Sequence, residues 1–384
     1  MQRNNKVNRI IETETLIVGA SAAGLAVAAC LKQRDQPFTL IEQSGRVADS
    51  WRRHYDRLHL HTSRGLSGLP GHPMPRHYPK YPSRDQVVAY LEQYAAHFEL
   101  EPIYYQRLVQ AERVDGRWRS TTEDRSYVSD NLVLATGYAR RPNVPEWPGR
   151  ADFAGPIIHS SQYRNGQPFA GQAVLVVGFG NSGGEIAVDL FEHGARPAIV
   201  VRSPVNIVAR DTLGISSVSW NLVLSRLPGN LGDWVAAPLV RASVGDLTPY
   251  GVRKSRIGPI EQIKALEQIP LIDVGTVKLI KQGHLPVYPA IERFTHNGVI
   301  FVDGREAAFD AVVLATGYRP DLDEFIPDAA ETVAQDGVPV ARGRALSRPG
   351  LYMCGFNVSR TGMLREIGIE ARRIAAMISH NRGD

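Results

Sequence analysis

Gly19-Ala20-Ser21-Ala22-Ala23-Gly24 lies between a short β-branched run, Thr15-Leu16-Ile17-Val18, and an apolar stretch from Leu25 to Arg34. A second strand, Phe38-Thr39-Leu40-Ile41, ends at Glu42. Strand, glycine turn, helix, strand and terminal acid in this order build a cradle for a dinucleotide. Gly19 permits the tight turn, and Gly24 lets the helix pack close to the sheet. The helix N-terminus offers unpaired N–H groups to a pyrophosphate. Ser21 stands where a middle glycine is usual and is small enough to leave room for the phosphate. Glu42, 23 residues after Gly19, is placed to accept hydrogen bonds from a ribose diol.

The same chemistry recurs further along. Val174-Leu175-Val176-Val177 leads into Gly178-Phe179-Gly180-Asn181-Ser182-Gly183, then a helix from Gly184 to His193 and a strand, Ala198-Ile199-Val200-Val201. This strand ends on Arg202 and Ser203 instead of an acid. A cation and a hydroxyl there suit the 2′-phosphate of NADPH. Each half then closes on one phrase, Ala135-Thr136-Gly137-Tyr138 in the first and Ala315-Thr316-Gly317-Tyr318 in the second. A buried strand running into Ala-Thr-Gly lets the backbone approach a nucleotide closely. Two different dinucleotides on one chain are needed when a hydride must pass between them, from NADPH to a flavin.

The elements that must position these residues follow from length and pattern. At 384 residues, 43% hydrophobic and 22% charged, the chain has material for two cores and no bias towards disorder. The fold class expected is α/β, two Rossmann-like dinucleotide-binding domains. Residues 1–13 are basic and polar and read as a frayed tail ahead of the first strand. The apolar stretch from Ile215 to Ala242 is broken by Arg226, Pro228, Asp233 and Pro238, so it does not span a bilayer. It reads as helical core of the NADPH domain, with a substrate entrance or a membrane-surface contact as alternatives. The final strand, through Gly355, precedes a helix with apolar positions at Leu364, Ile367, Ala371, Ile374 and Ile378.

Composition also excludes. Cys30 and Cys354 are the sole cysteines, which rules out a disulfide scaffold, a zinc site built on cysteines and a CxxC redox pair, and points to a cytoplasmic protein. No histidine spacing suggests a metal ligand set. A net charge of +5 suits anionic ligands but, spread over 384 residues, makes no case for nucleic acid.

The nested pattern resembles two-dinucleotide-binding flavoproteins, in which an NADPH domain is inserted in the FAD domain. That resemblance divides the chain into residues 1–166 (FAD), 167–308 (NADPH) and 309–384 (FAD, return segment). Disulfide reductases share the plan but need a cysteine pair. Phe153-Ala154-Gly155-Pro156-Ile157-Ile158-His159-Ser160-Ser161-Gln162-Tyr163 matches the FxGxxxHxxx[F/Y/W] signature of class B flavoprotein monooxygenases, in its place before the NADPH strand. Tyr163, with no Pro or Asp after it, resembles the flavin-containing branch and not the Baeyer–Villiger branch.

The stretch Ser50 to His61, with Trp51 and Tyr55-Asp56-Arg57-Leu58-His59-Leu60-His61, is similar to YUCCA-type flavin monooxygenases. So are Pro79-Lys80-Tyr81-Pro82-Ser83-Arg84 and the Gly178–Gly183 turn, and the resemblance runs from Thr15 to Ile378. Ser21 and the segment Asn357 to Gly362 depart from the pattern. His61 stands where N- and S-oxygenating relatives carry an asparagine.

The resemblance implies FAD and NADPH as cofactors and His61 and Asn181 as near-flavin catalytic groups. It implies FAD contacts from Gly19, Ser21, Gly24, Glu42, Gln43, Trp51, Arg52, Ala135, Thr136, Gly137 and Gly355. NADPH would be held by Gly178, Gly180, Asn181, Ser182, Gly183, Arg202, Ser203, Thr316 and Gly317. Arg52 and Arg53 are candidates to steer an anionic 2-oxo acid, with a solvated surface charge as the alternative. The implied partners are O₂ and a small anionic or aromatic substrate, with a homodimer left open. The implied reaction reduces FAD with NADPH, forms a flavin 4a-peroxide and decarboxylates indole-3-pyruvate to indole-3-acetate. An amine- or sulfide-oxygenating enzyme and a non-oxygenating NADPH-binding flavoprotein are the alternatives.

Overall fold

The computed structural model describes residues 9–228, 231–266, 268–326, 348–357 and 361–381. The chain begins with β1 (Arg9–Val18), α1 (Ala22–Lys32), β2 (Thr39–Ile41), α2 (Asp49–Arg52) and α3 (Arg84–His97). It continues as β3 (Gln110–Val114), β4 (Arg117–Thr121), β5 (Arg125–Leu134), β6 (Arg141–Pro142) and β7 (Ile157–His159). Next come β8 (Ala173–Val177), α4 (Asn181–Glu192), β9 (Arg196–Val200), β10 (Ile207–Ala209), β11 (Asp211–Thr212) and β12 (Ile215–Ser216). Helices α5 (Ser217–Leu224), α6 (Leu231–Val244) and α7 (Pro259–Leu266) precede β13 (Leu271–Asp273), α8 (Thr276–Lys281) and β14 (Val287–Tyr288). A small antiparallel sheet follows, β15 (Ile291–Thr295), β16 (Gly298–Phe301) and β17 (Glu306–Ala308). Last come β18 (Ala311–Leu314), β19 (Tyr318–Arg319), β20 (Leu351–Met353) and α9 (Met363–His380).

The first sheet has the order β2-β1-β5-β4-β3, with β20 also paired to β5. β1 is parallel to β2 and β5, and β5 is parallel to β20, so the chain returns to this sheet at its end. The parallel strands read as unbroken apolar runs because helices cover the sheet. Helix α1 is apolar almost all round and buried from Ala22 to Leu31. Leu364, Ile367, Ala371, Ile374 and Ile378 of α9 share its core, so α1 is buried between the sheet and α9.

The second sheet runs β14-β9-β8-β18-β7, all parallel. The fold is two Rossmann-like units, the second inserted in the first. Strands β7 and β18 lie outside the expected span 167–308, yet both belong to the second sheet through pairs such as Val313↔Ile158 and Val313↔Val176. The boundary moves because a strand belongs to the sheet that takes its backbone hydrogen bonds. The chain crosses between units at β6 and β19, which pair antiparallel with each other.

Two further expectations are corrected. Residues 9–13 are no tail: β1 starts at Arg9 and pairs with β5 from Arg9↔Arg125 onward, while residues 1–8 lie outside the described set. The 215–242 stretch carries α5 and most of α6, and only part of it is core: Leu224 is buried and Val240 packs against the second core. On α5 and α6, Val223, Leu231, Trp234 and Val235 face outward, with Trp234 75% exposed. Their inner faces close over a small apolar cavity of about 110 Å³, lined by residues such as Trp220, Leu239 and Ile263.

Candidate active site

The first cradle is built where β1 stops. Gly19 has φ +106°, a conformation that disfavours any side chain, and a Cβ there would sit 2.6 Å from the carbonyl oxygen of Ala135. A Cβ on Gly24 would collide with the carbonyl oxygen of Gly19, so α1 packs this close to the turn only because residue 24 is glycine. Ser21 sits at φ −108°, ψ −164°. This is extended backbone open to any residue, which is why the middle glycine is dispensable here. Glu42 ends β2 and turns back over the glycine turn: Oε2 accepts the Ala20 N–H at 2.7 Å and Oε1 accepts the Ser44 N–H at 2.9 Å.

In front of this turn is a cavity of about 660 Å³. Gly19, Ser21, Glu42, Gln43, Ala135 and Thr136 line it. So do Asp49, Arg53, His54, Gln106, Arg107, Arg140, Ser161 and Tyr318, most of which the sequence motifs do not mark.

The second cradle repeats the first in detail. Gly178 has φ +112°, and a Cβ there would lie 2.5 Å from the carbonyl oxygen of Ala315. A Cβ on Gly183 would strike the Gly178 carbonyl, as Gly24 does with Gly19. The two Thr-Gly phrases match as well, Gly137 at φ +83° and Gly317 at +84°. Arg202 and Ser203 are exposed just beyond the C-terminal end of β9, and the backbone carbonyl of Arg202 accepts Arg253 Nη2 at 2.7 Å.

The junction between the cradles is organised by three acids on α4. Glu185, Asp189 and Glu192, spaced i, i+4, i+7, lie along one helix face. Each faces a residue outside its own helix. Glu192 takes a bidentate pair from Arg57 Nε and Nη2, both at 2.9 Å. Asp189 accepts the Tyr163 phenol at 2.6 Å. Glu185 Oε1 lies 2.9 Å from His61 Nε2. Burial, and then the charge of Glu185, pushes the Tyr55 phenol well above its ordinary range.

The linker signature explains itself on this geometry. Phe153 stacks edge-on to Phe294 with ring centres 5.7 Å apart, and a Cβ on Gly155 would collide with the Asp310 carbonyl. His159 is buried, with Nε2 3.1 Å from the Gly317 carbonyl and Nδ1 3.0 Å from Ser161 Oγ. Burial holds His159 below the ordinary histidine range, which keeps it a neutral hydrogen-bonding strut. The signature residues thus fasten the linker to the second Thr-Gly turn and, through Tyr163, to α4.

The remaining expected residues also make contacts within the protein. Asn181 opens α4, and its Oδ1 accepts the Ile272 N–H at 2.8 Å, tying α4 to β13. Arg52 pairs with Glu92, and Arg53, which lines the large cavity, pairs with Asp49. Trp51 packs against the first core. Gly355 donates its N–H to Glu370 at 2.7 Å, facing α9. Thr316 Oγ1 donates to the Asn143 carbonyl, joining the two crossover strands. Of the Asn357 to Gly362 segment, Val358 to Arg360 lie outside the described residues. The acidic face of α4 was missed, although acids at i, i+4, i+7 in an otherwise apolar helix are a readable signal for buried, partnered charge.

Two nested glycine-turn units, a large cleft on the first and a linker locking the second onto it define a two-dinucleotide-binding flavoprotein. Over residues 13–380 the chain matches the flavin-binding monooxygenase-like family, and it belongs to that family as a flavin-dependent monooxygenase. It is 40% identical to indole-3-pyruvate monooxygenase YUCCA1 of Oryza sativa subsp. japonica, covering 89% of this chain and 86% of that protein. It is 37% identical to the probable indole-3-pyruvate monooxygenase YUCCA4 of Arabidopsis thaliana, over 92% of this chain and 87% of that one. Among solved structures, a double mutant of the flavin monooxygenase from Stenotrophomonas maltophilia superposes with a TM-score of 0.75 at 25% identity, covering 97% and 99% of the two chains. Among the described residues, no helix is long and apolar enough to cross a membrane.

Proposed function

We propose that this monooxygenase oxidatively decarboxylates a 2-oxo acid such as indole-3-pyruvate to indole-3-acetate, in the cytoplasm. The carrying observation is the 40% identity, over 89% of the chain, to a rice protein named as an indole-3-pyruvate monooxygenase. The overall reaction balances as 2-oxo acid, O₂, NADPH and a proton giving the shortened carboxylate, CO₂, NADP⁺ and water. One oxygen atom enters the new carboxylate and the other leaves as water.

The residues fit both dinucleotides. Each cradle is closed to any Cβ at its first and last glycine, leaving backbone N–H groups at the starts of α1 and α4 facing outward. Gly19, Ser21, Gly24, Glu42, Gln43, Ala135, Thr136 and Gly137 would hold FAD. Gly178, Gly180, Ser182, Gly183, Arg202, Ser203, Thr316 and Gly317 would hold NADPH. Bound flavin supplies hydride acceptance and oxygen activation; the chain supplies orientation and exclusion of water. Glu42 is already held over the turn, so it meets a ribose diol without reorganising. The α4 acids and the linker fasten the NADPH unit against the FAD unit, which fixes the separation across which a hydride moves. His61 serves as the near-flavin polar group.

The test is incubation of the FAD-loaded protein with NADPH, O₂ and a panel of indole-3-pyruvate, phenylpyruvate and a tertiary amine. The expected result is CO₂ and the shortened acid from a 2-oxo acid, in step with NADPH consumed. An amine N-oxide without any decarboxylation sinks the reading.

A further inference from the structure

Helix α6 is apolar on two opposite sides. On its inner side Ala236, Leu239 and Val240 close over the small apolar cavity. On its outer side Leu231, Trp234, Val235, Pro238 and Ala242 recur at i, i+3, i+4, i+7 and i+11, which places them on one stripe, and all five are exposed. Val223, near the end of the preceding α5, adds another exposed apolar side chain. Single exposed apolar residues are ordinary, but a stripe of them with a tryptophan in it marks a surface that meets something. A helix apolar on both sides belongs between two partners, and the fold supplies one.

The charges of this stretch are one-sided. From Thr212 to Val244 the only charged residues are Arg226, Asp233 and Arg241. Asp233 is turned inward, where its two carboxylate oxygens accept the Ile260 and Glu261 N–H groups at 2.9 and 2.8 Å at the start of α7. Arg226 and Arg241 are exposed, and Arg241 falls at i+10 from Leu231, on the edge of the outward stripe. The next acid, Asp246, lies past the end of α6 and accepts the Thr248 N–H at 2.9 Å. The outer face is thus apolar and cationic, with no acid of α5 or α6 on it.

We propose that the outer face of α6, with the end of α5, docks on an anionic lipid bilayer. At 14 residues α6 is too short to cross a membrane, and it lies in the plane of the surface instead. The apolar stripe enters the boundary between headgroups and acyl chains, Trp234 sits at headgroup level, and Arg226 and Arg241 reach to lipid phosphates. The sign of the charge selects this occupant over a second copy of the chain. A two-fold contact lays one face on itself, so the arginines of both copies would meet with no acid on the face to answer them. An anionic leaflet offers the opposite charge across its whole surface. None of these residues lines the large cavity, and the proposal is independent of which substrate the enzyme takes.

The test is flotation of the FAD-loaded chain with vesicles of phosphatidylcholine alone and of phosphatidylcholine mixed with phosphatidylglycerol. Several-fold more protein should float with the mixed vesicles, and added salt should reduce that share. Trp234→Ser should lower it several-fold, and so should Arg226→Gln combined with Arg241→Gln. FAD content and kcat/KM for NADPH should stay at wild-type values in these variants, which shows that the fold is intact. A second measurement uses the milder Trp234→Phe. Brominated lipid should quench part of the fluorescence of the 5 tryptophans, and that part should vanish in Trp234→Phe.

Equal flotation with both kinds of vesicle, at any level, overturns the proposal. So does flotation or quenching that none of these substitutions alters, because another surface is then responsible. A dimer in sedimentation that Trp234→Ser converts to monomer also overturns it, and gives the face to a second copy.

Discussion

Tyr163 donates its phenolic hydrogen to Asp189 across 2.6 Å, with both side chains nearly or fully buried. One partner ends the linker signature and the other lies mid-way along α4. The signature's terminal aromatic is therefore a fastener for the NADPH unit. Tyr163→Phe keeps the ring, which stacks on Phe169 at 6.0 Å, and removes only the hydroxyl. Losing a hydrogen bond to a buried carboxylate should cost about 1.5–3 kcal/mol. A thermal denaturation midpoint equal to that of the wild type would show that Asp189 finds another donor.

Gly24→Val should abolish FAD retention. The new side chain meets the Gly19 carbonyl and cannot be accommodated without moving α1 off the turn. Purification of a yellow, fully loaded mutant would contradict this.

Arg202→Glu should shift preference from NADPH towards NADH. The residue stands exposed at the end of β9, where a carboxylate would repel a 2′-phosphate and accept a ribose diol instead. The measurement is the ratio of kcat/KM for the two cofactors, and an unchanged ratio removes Arg202 from phosphate recognition.

Acid should loosen the junction. The Arg57 hydrogen bonds hold the Glu192 carboxyl below its ordinary value of 4.5, with the charges of Arg57 and His193 acting in the same sense. A carboxyl depressed in the folded state contributes stability that is present above its unfolded value and lost as pH falls through the folded one. Below about pH 4.5 the wild type should lose an increment that Glu192→Gln never had, so the two melting curves should converge. Since Glu192 is half exposed, the increment is small and shrinks with salt. Curves that stay parallel down to pH 3 would argue against the pair.

Cys30 and Cys354 should resist alkylation in the native protein and react once it is unfolded. Both are free, share one core cluster and are at most 1% exposed. Burial raises both thiols, and for Cys354 the nearby Glu370 adds to the effect. Native labelling by iodoacetamide at a rate near that of a free thiol would be the adverse result.

Much of the site was legible because its rules are local. Gly19 and Gly178 need a backbone that only glycine adopts freely, and Gly24 and Gly183 need the space of a missing Cβ, so residue type alone marks them. Residues 9–13 were harder. They follow a polar, basic run and so read as part of a tail, and what makes them a strand is β5, more than a hundred residues away. The outward face of α6 was misread for a related reason. Apolar content says that a helix wants a partner, while exposure depends on which elements arrive. Glu185, Asp189 and Glu192 have readable spacing, but the residues they meet, His61, Tyr163 and Arg57, come from distant segments.

The antiparallel pairing of β6 with β19 bears on how the inserted unit is attached. Two separate linkers would let the inserted unit swing, tilt and slide. Here Asn143 N–H donates to the Gly317 carbonyl at 2.9 Å, and Arg140 and Arg141 grip Glu324 beside the ribbon. The inserted unit thus hangs on a single laced ribbon, so that a load on either crossover is shared by the other.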